Sequence, residues 1–166
     1  MIPPRYTWIP GLMPDSIPIR QIHGFCFDDY GRVLLREMRD RCELPGCAPD
    51  PAVDDVHKTL MRGCQEQWRI SITEPIYLGY QRVDESNGTP PYAELRMAAH
   101  VTAFHPLDAN TSANPRYQRL LSPISNVPAV LHWGVEGLLQ ATAAAIAAMD
   151  LLQLDLSGNH DEVYRD

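Results

Sequence analysis

The feature that most constrains this chain is one short amphipathic segment set between stretches with the alternation of β-strands. In residues 53–68, Val53, Val56, Leu60, Cys64 and Trp68 recur at three-to-four spacing, which lines them up along one stripe of an α-helix. The opposite face carries His57, Lys58, Arg62, Gln65 and Glu66. Asp54 and Asp55 fall at the expected first turn, where carboxylates complement the positive end of the helix dipole. A helix this short has little stability alone and must lay its apolar stripe on another element.

The flanking segments supply that element. Upstream, IPIRQIHGFCF, then Asp28-Asp29-Tyr30-Gly31, then RVLLREM reads as strand, tight turn, strand. RDRCELPGCAPDPA, rich in Pro, Gly and Asp, reads as a loop leading into the helix. Downstream, ISITEPIYLGYQRV is β-patterned with a break near Glu74-Pro75, DESNGTPP is a turn, and YAELRMAAHVTAF is a further strand. HPLDANTSANP reads as a polar loop, and RYQRLLSPISNVPAVLHWG as an irregular stretch with short helical pieces between prolines. From Gly134 an alanine-rich helix follows, apolar most of the way round. It is expected to pack along its length on its own domain, or to use its small residues as a homodimer seam.

At 166 residues the chain suits one domain. The reading is a proline-rich extended arm over residues 1–16 with Tyr6 and Trp8 as anchors, a domain over 17–156, and a flexible tail over 157–166. No apolar run reaches the roughly 18 residues of a membrane span, and the proline-studded start does not resemble an export signal. The expectation is cytoplasmic, with no membrane partner. Cysteines 26, 42, 47 and 64 contain no C-x-x-C pair and read as thiols rather than disulfides or a zinc site. A net charge of −7 argues against nucleic acid, whose binding depends on neutralising phosphates with Lys and Arg. It leaves room for arginines to grip one small anionic molecule.

The order hairpin, Leu-Pro-Gly loop, helix, strand, strand, helix resembles the Nudix family. The likeness rests on Leu44-Pro45-Gly46, which looks like the start of the Nudix box, and on Arg62-Gly63-Cys64-Gln65-Glu66-Gln67, which stands where the family has a helix bearing an arginine and three glutamates. FDDYGRVLL, YLGYQRVDE, YAELRMAAHV and the later RYQRLLSPISNVPAVLHWG also look like a bacterial group within that family. The resemblance covers residues 19–139. It implies an α/β fold, a Nudix-type α/β/α sandwich with a mixed sheet. It also implies Mg²⁺- or Mn²⁺-dependent hydrolysis of a small diphosphate-linked or phosphorylated metabolite.

The departures lie in the box itself. Cys47 stands where the family has a second glycine, and Gly63, Glu66 and Gln67 stand where it has carboxylates, so only Glu66 survives. Cleaving a phosphoanhydride calls for neutralised phosphoryl oxygens and an activated water, which clustered carboxylates provide by holding a divalent ion. One carboxylate is a poor site for so hard a cation. The resemblance therefore assigns Glu66 and Arg62 as catalytic candidates, and Glu66, Asp54 and Asp50 as candidate metal ligands. Glu94 and Arg96, two residues apart on a strand and hence on one face, are the substrate-binding candidates.

Structural alternatives stand beside these. Arg62 serves a salt bridge within the box, Asp54 and Asp55 serve the helix start, and Glu94 and Arg96 are a solvated strand face. Trp68 and Trp133 read as core aromatics. A thiol nucleophile from Cys47 or Cys64 with His57 or His100 has no supporting motif. Three functions remain open: a diverged hydrolase completed by acids from outside the helix, a catalytically silent fold binding a small ligand or partner, and a non-hydrolytic biosynthetic enzyme using the same pocket.

Overall fold

The computed structural model describes residues 2–53, 55–107, 117–156 and 164–165. Its elements run β1 (Arg5–Pro10), β2 (Ile19–Phe27), β3 (Arg32–Met38), β4 (Arg41–Glu43), β5 (Gly46–Cys47), α1 (Val56–Gln67), β6 (Ile70–Ile72), β7 (Ile76–Asp84), β8 (Tyr92–Phe104), β9 (Tyr117–Pro123), α2 (Val127–Leu131), α3 (Gly134–Asp150) and β10 (Tyr164–Arg165). The sheet order is β1-β7-β8-β2-β3-β9-β10, with β4, β5 and β6 attached to β3, β2 and β8. At its centre β2 and β8 run parallel, from Ile19 beside Ala93 to Phe27 beside His100. Every other pair is antiparallel, so the sheet is mixed.

Strand alternation sends side chains to two cores. Ile22 and Cys26 of β2 and Leu95, Met97 and Val101 of β8 join Leu60, Cys64 and Trp68 of α1. Phe25 and Phe27 of β2, with Ala98 of β8, join Ala141, Ala144, Ala147 and Ala148 of α3. The architecture is the expected α/β/α sandwich. The stripe read from the sequence is the buried face of α1, although the helix begins later than expected, at Val56. Asp55 is its N-cap and accepts from the His57 N–H at 2.9 Å. Trp68 closes the other end, and Arg69 leaves the helix in the left-handed region at φ 55°.

The β2–β3 hairpin forms only at its mouth, where Phe27 faces Val33. Asp28 Oδ1 accepts from the N–H groups of Tyr30 and Arg32, and Gly31 takes φ 77°. On its other edge β3 pairs with β9 along its whole length, from Arg32 beside Pro123 to Met38 beside Tyr117. Two segments read as irregular contain strands. The loop before α1 carries β4 and β5, and residues 117–123 form β9, because each finds a partner distant in sequence that local pattern does not reveal. Residues 5–10 of the N-terminal arm pair with β7, and the Trp8 N–H donates to Glu136 of α3 at 2.6 Å. The alanine face of α3 packs on its own sheet, but the helix is not covered all round: Val135, Leu138, Leu139, Ile146 and Met149 are exposed. Of the expected flexible tail, residues 157–163 and 166 lie outside the described residues, and Tyr164–Arg165 pair with β9. No helix among the described residues is long and apolar enough to cross a membrane.

Leu60 is fully enclosed between α1 and the sheet. Leu60→Ala should lower the unfolding free energy by about 2–5 kcal/mol in urea titrations. Leu138→Ala, on the uncovered side of α3, should stay within about 0.5 kcal/mol of the parent.

Candidate functional site

The Leu-Pro-Gly segment leads into β5, which pairs antiparallel with β2 at very short range: Gly46 with His23, and Cys47 with Ile22. A Cβ at residue 46 would stand 2.4 Å from the His23 ring and 2.7 Å from the Ile22 carbonyl, so only glycine permits this approach. Cys47 then lies under α1. A Cβ at Gly63 would stand 2.9 Å from Cys47 Sγ. Cys47 and Gly63, two of the three positions where the sequence differs from the pattern it resembles, therefore touch. The cysteine fills the volume that a side chain at 63 would need, and its thiol donates to the Thr59 carbonyl at 3.6 Å.

On the outer face of α1, Arg62 binds the Asp50 carboxylate through Nη2, and its Nε lies 4.0 Å from Glu66 Oε1. The guanidinium holds Asp50 below the usual carboxylate range, aided by the Ala52 N–H. The structure thus gathers Asp50, Arg62 and Glu66, with the cation between the two acids. Asp54 lies outside the described residues. Glu94 is on the sheet face opposite α1, bonded to Gln81 and Arg96 rather than joined to Glu66. Among the described residues no group of three or more His, Cys, Asp or Glu side chains is placed to hold a metal. A divalent ion needs several anionic oxygens converging on one point. These oxygens instead converge on a guanidinium, so the described donors do not fit Mg²⁺ or Mn²⁺.

Glu94 and Arg96 belong to a cavity of about 360 Å³ on the α3 side, lined also by Tyr6, His23, Gln81, Tyr92, His132 and Trp133. Arg96 is 1% exposed. Its Nε donates to Gln140 at 2.8 Å, Nη1 to His23 Nδ1 at 3.0 Å and to the Leu95 carbonyl at 3.2 Å, and Nη2 to Glu94 at 3.4 Å. Trp133 lies against the guanidinium, 4.7 Å from ring centroid to Cζ. Of the five N–H donors of arginine, one on Nη2 has no partner among the described residues and can meet a ligand. Burial lowers Arg96 to about 10, partly offset by Glu94. Burial, then the charge of Arg96, lowers His23 to about 3, so the imidazole is neutral and accepts through Nδ1. Burial and Glu85 push Tyr92 up to about 12. The cavity presents one cation, one carboxylate and neutral polar groups between aromatic walls.

Sequence pattern found Glu94 and Arg96 but missed their neighbours. His23 was legible in principle, since it alternates with Phe25 and Phe27 on the α3-facing side of β2. Gln81 and Gln140, which bond each other at 2.8 Å, carry no local signal. Trp68 is a core aromatic as read, and Trp133 packs against the α3-side core while also forming a cavity wall. Burial raises Cys47, and a hydrogen bond to Cys64 together with burial raises Cys26 well above the usual thiol range. No disulfide joins any of the four cysteines.

No protein-family model matches the chain, and no curated protein does. Solved structures do. A mutant form of the Bacillus subtilis pyrophosphohydrolase BsRppH is 21% identical, covering 66% of this chain and 77% of that one at a TM-score of 0.49. A NUDIX hydrolase from Nitrosomonas europaea is 15% identical, covering 86% of this chain and 99% of that one at a TM-score of 0.57. The second likeness is one of fold, and with the sandwich and the box geometry it defines this chain as having the Nudix fold.

Two measurements follow from this geometry. Gly63→Glu alone should cost roughly 1–3 kcal/mol from overpacking against Cys47. Cys47→Gly in the same chain should recover about 1 kcal/mol or more of that, a coupling read from a double-mutant cycle in urea. His23 binds fewer protons in the native than in the unfolded chain between its ordinary value and about 3. Its contribution is therefore complete near neutrality and lost as pH falls through that window. His23→Asn should flatten this part of the acid-denaturation profile, and an unchanged profile would refute it.

Proposed function

We propose that this protein is a Nudix-fold ligand binder in which the box helix is structural and the Arg96 cavity takes a small polar metabolite, without metal-dependent phosphoanhydride hydrolysis. The observation that carries this reading is the placement of the Arg62 guanidinium between Asp50 and Glu66, while Gly63 is packed against Cys47. In that arrangement Arg62 ties the loop to the helix and stabilises the box. It also offsets the negative charge that a divalent ion would need.

The cavity supplies the binding chemistry. Arg96 is preorganised by Gln140, His23 and Glu94, so little side-chain entropy is lost when its remaining N–H meets an acceptor. Glu94 Oε1 already accepts from Gln81 and Arg96, and its second oxygen can take a donor from the ligand. Tyr6, Tyr92 and Trp133 suit a flat ligand body. A small molecule carrying both an acceptor and a donor fits, and its volume class is the low end of ordinary ligand pockets.

The second reading, a diverged hydrolase of a small diphosphate-linked or phosphorylated metabolite, is favoured by the exposure of Glu66 on the outer face of the box helix. It requires Asp54 or another acid to join Glu66. One experiment separates the two. The protein with Mn²⁺ should release no phosphate or pyrophosphate from a panel of nucleoside-diphosphate derivatives, and calorimetry with millimolar Mn²⁺ should show no binding. Manganese-dependent turnover abolished by Glu66→Gln would overturn the ligand-binding reading and establish the hydrolase.

A further inference from the structure

A second cavity, of about 380 Å³, lies on the α1 side of the sheet beyond the end of β2. β2 stops at Phe27, opposite His100, whereas its parallel partner β8 continues through residues 101–104 with β6 on its far edge. β3 starts at Arg32 and meets β2 only where Val33 faces Phe27, so beyond Phe27 the continuing β8 has no neighbour on the β2 side and the sheet opens at the carboxyl end of β2, where ligands of α/β proteins commonly sit.

The floor is apolar, made of Leu34, Val101 and Leu121. Tyr30 and Phe104, both large and exposed, stand on the walls. Arg32 is held by the turn: Nε donates to Asp28 Oδ2 at 2.8 Å, and the guanidinium lies over the Tyr30 ring at 5.3 Å. Its Nη1 and Nη2 have no hydrogen-bond partner among the described residues. Arg119, over Phe104, commits Nη1 to the carbonyls of Trp68, Arg69 and His105. Asp28 is taken up by Arg32 and the turn, and Asp29, at the rim, bonds His100 at 2.7 Å. Two arginines thus face two aspartates, which leaves the cavity nearly balanced in charge while it offers one immobilised forked donor above an apolar floor.

We propose that this cavity is a second ligand site, which takes a small monocarboxylate with an aromatic body. The carboxylate meets the free fork of Arg32 in the bidentate geometry that guanidinium favours, and the ring lies on Leu34, Val101 and Leu121 between Tyr30 and Phe104. A dianion gains no second committed cation here, and the neighbouring aspartates oppose its extra charge. The site is independent of the Arg96 cavity and of the fate of the box helix.

The test is titration of the full chain, by calorimetry and ligand-observed NMR, with phenylacetate, its uncharged counterpart phenylacetamide, and phenyl phosphate. Phenylacetate should bind one to one and about tenfold or more tighter than the amide. It should also bind tighter than phenyl phosphate. Arg32→Gln should erase the preference for the acid over the amide, and Ala103→Leu, which fills the cavity from a half-buried strand position, should abolish binding. If Arg32→Gln disturbs the turn, the acid-to-amide comparison on the parent chain decides. The proposal falls if the parent binds no phenylacetate at millimolar concentration, binds acid and amide alike, prefers phenyl phosphate, or if Ala103→Leu binds as the parent does.

Discussion

Parallel pairing of β2 with β8 joins two strands separated by most of the first half of the chain, and nearly everything else is arranged around that ladder. Strands paired this way in mid-sheet are buried on both faces and need a cover on each. One cover is α1, which belongs to the crossover between them, and the other is α3. The ladder also has two ends with different chemistry. At its start, His23 and Arg96 come side by side under α3. At its finish, the early stop of β2 opens the sheet between Arg32 and Phe104.

How much was legible follows from the range of each interaction. The α1 stripe, the Asp28–Gly31 turn, β7, β8 and α3 were readable because their patterns are local. β4, β5 and β9 were not, because each exists through a partner elsewhere in the chain, as β9 does through Leu34 beside Leu121. The same divide runs through the candidate sites. Glu66, Arg62, Glu94 and Arg96 could be named from a motif or a strand face. Their meaning could not, since Arg62 lying between two acids and Glu94 facing away from α1 are facts of three dimensions.

The contact of Cys47 with Gly63 changes how this segment is understood. Along the chain the two residues are separate departures from the pattern that the segment resembles. In space they share one volume, and the sulfur of one occupies the room that a side chain on the other would need. Packing density leaves little freedom in such a place, so the seat of the helix and the bare backbone at residue 63 go together.

The strand Arg5–Pro10 bears on the behaviour of the protein in a crowd. Without it, β7 would present a row of unpaired backbone groups, a template for joining another molecule edge to edge. β1 takes that position and becomes the outer strand itself. It is preceded by Pro4 and ends on Pro10, neither of which has an N–H to offer a newcomer. The prolines that make this end of the chain look unstructured are suited to discouraging sheet-to-sheet association, so trimming the arm would cost solubility as well as the Tyr6 wall of the Arg96 cavity.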